Sequence, residues 1–186
     1  MPAISGGSDS TLIVTRIIDG DTFVLSNGIH VRLIGLDTPE KGQPFYEEAK
    51  VFAESTVLGS PVRIEYGDEP YDNYDRSLVF LFEDTLFYNE RVVRAGLASA
   101  YFFENNRKYS TNLISAQKTA REAHSGIWSM DPPPPEEYYV SIRGSFRFHR
   151  PLCLNLKKTS KEKLERLASR DEALDLGLSP CRRCQP

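Results

Sequence analysis

The stretch DTFVLSNGIHVRLIGL, residues 21 to 36, alternates apolar and polar residues with a period of two and is broken by Asn27-Gly28. Alternate residues of a strand share one face, and Asn-Gly readily adopts the positive φ angles of a tight hairpin turn. The segment therefore reads as antiparallel strands, and the same alternation recurs in STLIVTRII (10 to 18), SPVRIEYG (60 to 67) and RSLVFLFEDTLFY (76 to 88). Three other stretches space their apolar residues by three to four: PFYEEAKVFAESTVLG (44 to 59), YNERVVRAGLA (88 to 98) and STNLISAQKTAREAHSGIW (110 to 128). These read as helices, two of them closed by glycines. About five strands with three helices between and after them predict a mainly β, α+β fold, a small Greek-key barrel carrying helices on its flank.

With 186 residues and 40% hydrophobic content, the chain has enough apolar side chain for one good core and a small appendage. No apolar run approaches the ~18 residues of a membrane span. The opening MPAISGGSDS lacks the basic start and apolar stretch of a signal peptide, so a leader is expected to be absent or already removed. The tetraproline at 132 to 135 marks a stiff spacer, which divides the chain into residues 1–130, a linker at 131–137 and residues 138–186. Residues 1 to 137 hold 12 Lys and Arg against 21 Asp and Glu, a balance of −9, whereas residues 138 to 186 hold 11 against 5, a balance of +6. All three cysteines lie in the basic part, which argues against a disulfide framework for the whole chain.

Just before the opening stretch, IIDG completes a second hairpin signal in which Asp19 and Gly20 make the turn. Asp21 is then left over, a carboxylate at the start of a returning strand. Beyond the stretch, DTPE places Asp37 and Glu40 at the end of the strand that carries Arg32. Asp21 and Asp37 on neighbouring strand ends make a pair of hard oxygen ligands suited to calcium, and Glu40 stands where it would act on an adjacent water. Farther on, DNYDRSLVFL supplies Arg76. Two arginines and an oxygen-ligated cation suit a phosphodiester, whose transition state gathers negative charge. SAYFFENN (99 to 106) sets Tyr101 and Phe103 on one side of an extended segment, where they, and Tyr74 with them, would stack on sugar or base.

Taken in order, IDGDT, VRLIGLDTPE, EEAKVF, DNYDR, VRAGLA and SGIW give about 120 residues that resemble the staphylococcal nuclease family. The resemblance implies an OB-fold barrel of five strands with three helices and a calcium-dependent nuclease acting on DNA and RNA, single strands preferred, that leaves 3′-phosphate ends. By position it implies calcium bound by the side chains of Asp21 and Asp37 and the carbonyl of Thr38, with Arg32, Glu40 and Arg76 catalytic. Three features depart from the family type: a short loop after Glu40, Asp75 in place of a glycine beside Arg76, and an acidic body expected to hold polynucleotide weakly. The competing reading is a non-catalytic OB-fold that binds single strands, which has no need of the full set of charged residues. A calcium-rich space outside the cytosol is expected, secreted or periplasmic, with the cytoplasm as the alternative; the chain is expected to act as a monomer without a membrane partner.

In the basic part, His149 precedes Cys153 by four residues, and Cys181 and Cys184 form a CxxC knuckle, four ligands in the number a structural zinc takes. Between them SRDEALDLG reads as a short helix with a capping box at Ser169 and Glu172 and a stop at Gly177. A segment of this size needs a staple to fold. FHRPLC, SRDEAL, Gly177 and PCRRCQP resemble the metal-binding domain of the Ada DNA-repair protein and related zinc modules. Because a histidine here stands for one of the four cysteines of Ada, the resemblance implies a closed structural site rather than alkyl transfer.

Overall fold

The computed structural model describes residues 11–103 and 106–186; the N-terminal ten residues, on which the leader expectation rests, and Glu104 and Asn105 of SAYFFENN lie outside the described residues. The first half builds β1 (Leu12–Ile17), β2 (Thr22–Leu25), β3 (His30–Leu33) and β4 (Gly35–Asp37), then α1 (Tyr46–Val57), β5 (Pro61–Tyr71), β6 (Ser77–Glu83) and β7 (Leu86–Phe87). After them come α2 (Tyr88–Arg94), β8 (Ser99–Tyr101), α3 (Ser110–Glu122) and a 3-10 turn at Gly126–Ser129. The fold is mixed α+β and OB-like. Its main sheet has six strands rather than the expected five, in the order β3-β2-β1-β5-β6-β7, because the two residues of β7 extend the far edge. The sheet curls until β3 also lies beside β6, in parallel register with Arg32 opposite Leu78.

Alternation explains which face is inside. Phe23, Leu25, Val31 and Leu33 point into a core closed by Tyr88, Val92 and Val93 of α2 and Leu113 and Ala116 of α3. The run Leu78–Phe82 is buried on both faces: Val79 and Leu81 meet that core, while Leu78, Phe80 and Phe82 form a second cluster with Ile34. Buried Asn89 ties the layers together, accepting from the Leu81 N–H at 3.0 Å and donating to the Ile34 carbonyl at 2.9 Å. The glycines of VRAGLA and SGIW turn out to be partners. A Cβ on Gly96 would lie 2.2 Å from the Ser125 carbonyl oxygen, and one on Gly126 would lie 2.1 Å from that of Gly96. Both have positive φ, and Ile127 N–H donates to the Gly96 carbonyl at 2.8 Å, so the end of α2 and the end of α3 meet backbone to backbone.

The C-terminal part adds β9 (Tyr139–Ile142), β10 (Arg147–His149), β11 (Leu164–Leu167), α4 (Arg170–Asp175) and β12 (Ser179–Pro180), with its four strands in the order β11-β9-β10-β12. Tyr139, Phe148, Leu167, Ala173 and Leu174 make its small core, against which Trp128 also packs. Ser169 caps α4 by accepting from the Glu172 N–H at 3.0 Å, and the Glu172 carboxylate accepts from the Ala168 N–H at 2.6 Å. Gly177 follows at φ 75°, pressed so close to the body that a Cβ there would lie 2.8 Å from Ile114 Cδ1. Arg121 of α3 reaches across to Asp171 at 2.5 Å and Asp175 at 2.7 Å.

Candidate active site

Between β1 and β2 the chain turns as its sequence predicts: Ile18 N–H donates to the Thr22 carbonyl at 2.9 Å, and Asp21 N–H to Asp19 Oδ1 at 3.1 Å. Gly20, however, has no positive φ. What excludes a side chain there is crowding, since a Cβ would lie 2.8 Å from Thr38 Cγ2 and 3.0 Å from Ala49 Cβ. Its carbonyl accepts from the buried Tyr88 hydroxyl at 3.2 Å. The turn thus delivers Asp21 into the molecule rather than outward, with only 4% of the residue exposed. Asp21 Oδ2 accepts from the Thr38 N–H at 2.9 Å and the Thr38 hydroxyl at 2.8 Å, and Oδ1 from the Thr22 hydroxyl at 3.1 Å. Burial pushes its carboxyl above the ordinary value, against the opposing pull of Arg32.

Arg32 spans the two carboxylates at the strand ends, with Nη1 2.5 Å from Asp21 Oδ2 and Nη2 3.1 Å from Asp37 Oδ1. Glu40 is exposed, and among the described residues its carboxylate makes no ion pair. Arg76 is engaged by Asp72: Nε lies 2.8 Å and Nη2 2.7 Å from Asp72 Oδ2. Against the cost of burial, hydrogen bonds from the Tyr74 N–H and from Arg76 hold the Asp72 carboxyl below the ordinary value. Asp75, which stands beside Arg76 in place of the family's glycine, turns the chain at φ 59°, and Asp72 is the acid that takes the guanidinium. The available signal was the turn chemistry of Asp72, whose carboxylate accepts from the Tyr74 N–H two residues on. Tyr74 is 80% exposed, with the Arg76 guanidinium 5.5 Å from its ring centre. Tyr101 and Phe103 lie side by side, 5.9 Å between centroids. One pocket of about 460 Å³ gathers Asp21, Arg32, Asp37, Thr38, Glu40, Tyr74, Arg76, Tyr101 and Phe103.

That pocket holds, with Asp72, a second residue which sequence reasoning missed. Arg182, 145 positions from Asp37 in the chain, lies with its Nη2 2.8 Å from Asp37 Oδ2. No local pattern announces a contact of that separation.

The ligand atoms of His149, Cys153, Cys181 and Cys184 lie within 4.8 Å of one another. His149 Nδ1 is buried with no hydrogen-bond partner. Burial, and then the Arg147 charge, push the imidazole below the ordinary histidine value, which keeps it in the neutral form able to ligate. Burial pushes the Cys184 thiol up to about 12. A buried orphan nitrogen beside three converging sulfurs makes this a possible metal-binding cluster.

A model of the staphylococcal nuclease homologue family matches residues 30–130. The chain is 34% identical over 135 residues to a thermonuclease of Staphylococcus hyicus, which covers 68% of this chain and 80% of that protein. It is 36% identical over 125 residues to a thermonuclease of Staphylococcus intermedius, covering 62% and 74% respectively. An uncharacterized endonuclease of Escherichia coli is 33% identical over 129 residues, 66% of this chain and 80% of the relative. Such an OB-like sheet, with arginines and carboxylates at one mouth and relatives of this kind, is that of a nuclease, an enzyme that breaks phosphodiester bonds. The chain belongs to the staphylococcal nuclease family.

Proposed function

We propose that the protein is a calcium-dependent nuclease that hydrolyses DNA and RNA, single strands preferentially, and leaves 3′-phosphate ends. The observation that carries this reading is the bridge of Arg32 between Asp21 and Asp37 in a pocket shared with Glu40 and Arg76. The donors fit a hard cation: Asp21, Asp37 and the Thr38 carbonyl are all oxygen, and the ionised Asp21 is kept in the fold against a burial cost that a cation offsets. Calcium, when bound there, supplies positive charge for a phosphate oxygen.

The rest of the chemistry belongs to the side chains. Glu40, exposed and unpaired among the described residues, takes the proton of the attacking water. Arg32 and Arg76 donate to the non-bridging oxygens as negative charge develops on them. Asp72 holds Nε and Nη2 of Arg76, so Nη1 is the group left to offer the phosphate. Tyr74, Tyr101 and Phe103 stack on the sugar or base. A non-catalytic strand binder would leave Glu40 without a task. In the C-terminal part, an Ada-like module, His149, Cys153, Cys181 and Cys184 would hold structural zinc; the donor set and the orphaned His149 nitrogen support this. Calcium dependence suits action outside the cytosol, and the reading requires only a monomer.

Digestion of single-stranded DNA with calcium and with a chelator tests the proposal. Calcium-stimulated cleavage, with phosphate on the 3′ ends of the products, is expected. Absence of calcium-stimulated cleavage by the folded protein would remove the enzyme reading and leave the strand binder.

A further inference from the structure

We propose that the C-terminal module completes the substrate groove, with Arg182 and Arg147 binding the phosphate next to the one that is cleaved. The inference rests on the nuclease reading above and adds a part of the substrate that the body alone is poorly equipped to hold. The body is acidic, −9 over residues 1 to 137, whereas both arginines come from the segment counted at +6. Affinity for a strand grows with the number of phosphates neutralised.

Arg182 is carried to the site by a fixed register. Asp37 of β4 pairs with Ser99 of β8, and the next residue of β8, Ala100, accepts a hydrogen bond at 3.0 Å from the hydroxyl of Ser179 in the module. Arg147 Nη1 donates to the Pro180 carbonyl at 2.9 Å, and Cys181 N–H to the Phe148 carbonyl at 3.0 Å. The following residue is Arg182, at the start of the turn between Cys181 and Cys184. Its side chain is 65% exposed, so the pair it makes with Asp37 is weakened by water. A guanidinium can leave such a partner for a phosphate, to which it donates two parallel hydrogen bonds.

Beside the main pocket lies a crevice of about 260 Å³ lined by Arg147, Tyr101 and Arg182, the last two shared between both spaces. The Arg147 guanidinium sits 4.6 Å from the Tyr101 ring centre. Among the described residues Arg147 makes no ion pair, and its Nη1 bonds a neutral carbonyl, so its charge is available. The crevice, whose lining also includes Arg170 and the Asp37 carboxylate that Arg182 pairs with, therefore continues the pocket with three cations and a ring, the chemistry that takes a nucleotide phosphate and its sugar or base.

The test uses the full chain with Arg182→Ala, Arg182→Lys and Arg147→Ala, and Arg183→Ala as the control from the same turn. KM and kcat are measured on a long single-stranded DNA and on a dinucleotide, and binding of the long strand is measured by fluorescence anisotropy in chelator, which needs no turnover. Arg182→Ala should raise KM and the dissociation constant for the long strand by about tenfold, with most of the loss in KM, and reduce the salt slope by about one. The dinucleotide, which has no second phosphate, should lose far less; Arg182→Lys should recover part of the affinity and Arg183→Ala should resemble wild type. Equal binding and equal salt slope in Arg182→Ala would overturn the proposal, leaving a structural ion pair. Faster cleavage or tighter calcium binding in that variant would also overturn it, making Arg182 a guard on Asp37. Weakened strand binding in a protein that does not cleave would keep the groove and discard the nuclease reading.

Discussion

Arg32 is shared between two carboxylates, and that sharing decides what its removal does. Arg32→Ala should abolish most of the cleavage and also destabilise the fold by about 3 kcal/mol, because a buried Asp21 is left without its cation. Glu40→Gln, at an exposed position, should lower kcat by about 10²-fold with an unchanged melting temperature, which separates chemistry from stability. The pH dependence of Asp21 has a definite sign. Its pKa is raised from 3.8, so the fold loses stability as pH rises from that value through the raised one; calcium, bound there as proposed, should restore what is lost. Asp21→Asn still accepts from Thr38 while Arg32 keeps Asp37. Its melting temperature at pH 7 without divalent ions should therefore change little, and the rise on adding calcium should vanish; a preserved rise would show that calcium binds elsewhere. Gly20→Ala should cost about 1–3 kcal/mol by overpacking against Thr38, seen as a lower denaturation midpoint. The Asp-Gly turn was legible in the sequence; the reason for the glycine was not, because it lies in Thr38 and Ala49, distant along the chain.

Among the elements, those legible in sequence are long or carry a cap. The continuous apolar run of β6, buried on both faces, and the 3.6-residue period of α1 and α3 are each long enough to read, and Ser169 announces α4. β4 and β8, of three residues each, and β12, of two, are too short to show a period, and they exist only because a partner strand satisfies their backbone groups. β8 matters most, since it connects Asp37 to the C-terminal sheet. That sheet in turn runs through the candidate metal cluster: His149 ends β10, and Cys181 follows β12. Cys184→Ser should lose the metal, read as zinc per chain, and hydrogen exchange should speed up across β9 and β10 while β1 to β6 stay protected. Unchanged exchange with the metal gone would show that the small core around Phe148 holds the sheet by itself.

At the scale of the whole molecule, the basic segment does not hang from the tetraproline as a free tether; Gly177 against Ile114, Arg121 against Asp171 and Asp175, and Arg182 against Asp37 fasten it to the body. A chain ending at Asp131 should consequently show a lower melting temperature as well as weaker binding of long strands with a shallower salt slope, and added salt should not equalise the two melting temperatures, because part of the loss is the uncovered apolar face of α3. The sequence by itself determined the longer strands and the helices of the body, and singled out as candidates Asp21, Arg32, Asp37, Glu40 and Arg76 and the His149, Cys153, Cys181 and Cys184 set, because periodicity, turn chemistry and ligand spacing are local properties. Only the tertiary structure decided that Arg32 bridges Asp21 and Asp37, that Asp72 takes Arg76, and that Arg182 enters the pocket. The physical reason is that each of these is a choice among competing charges, and which carboxylate a guanidinium meets depends on where packing brings it.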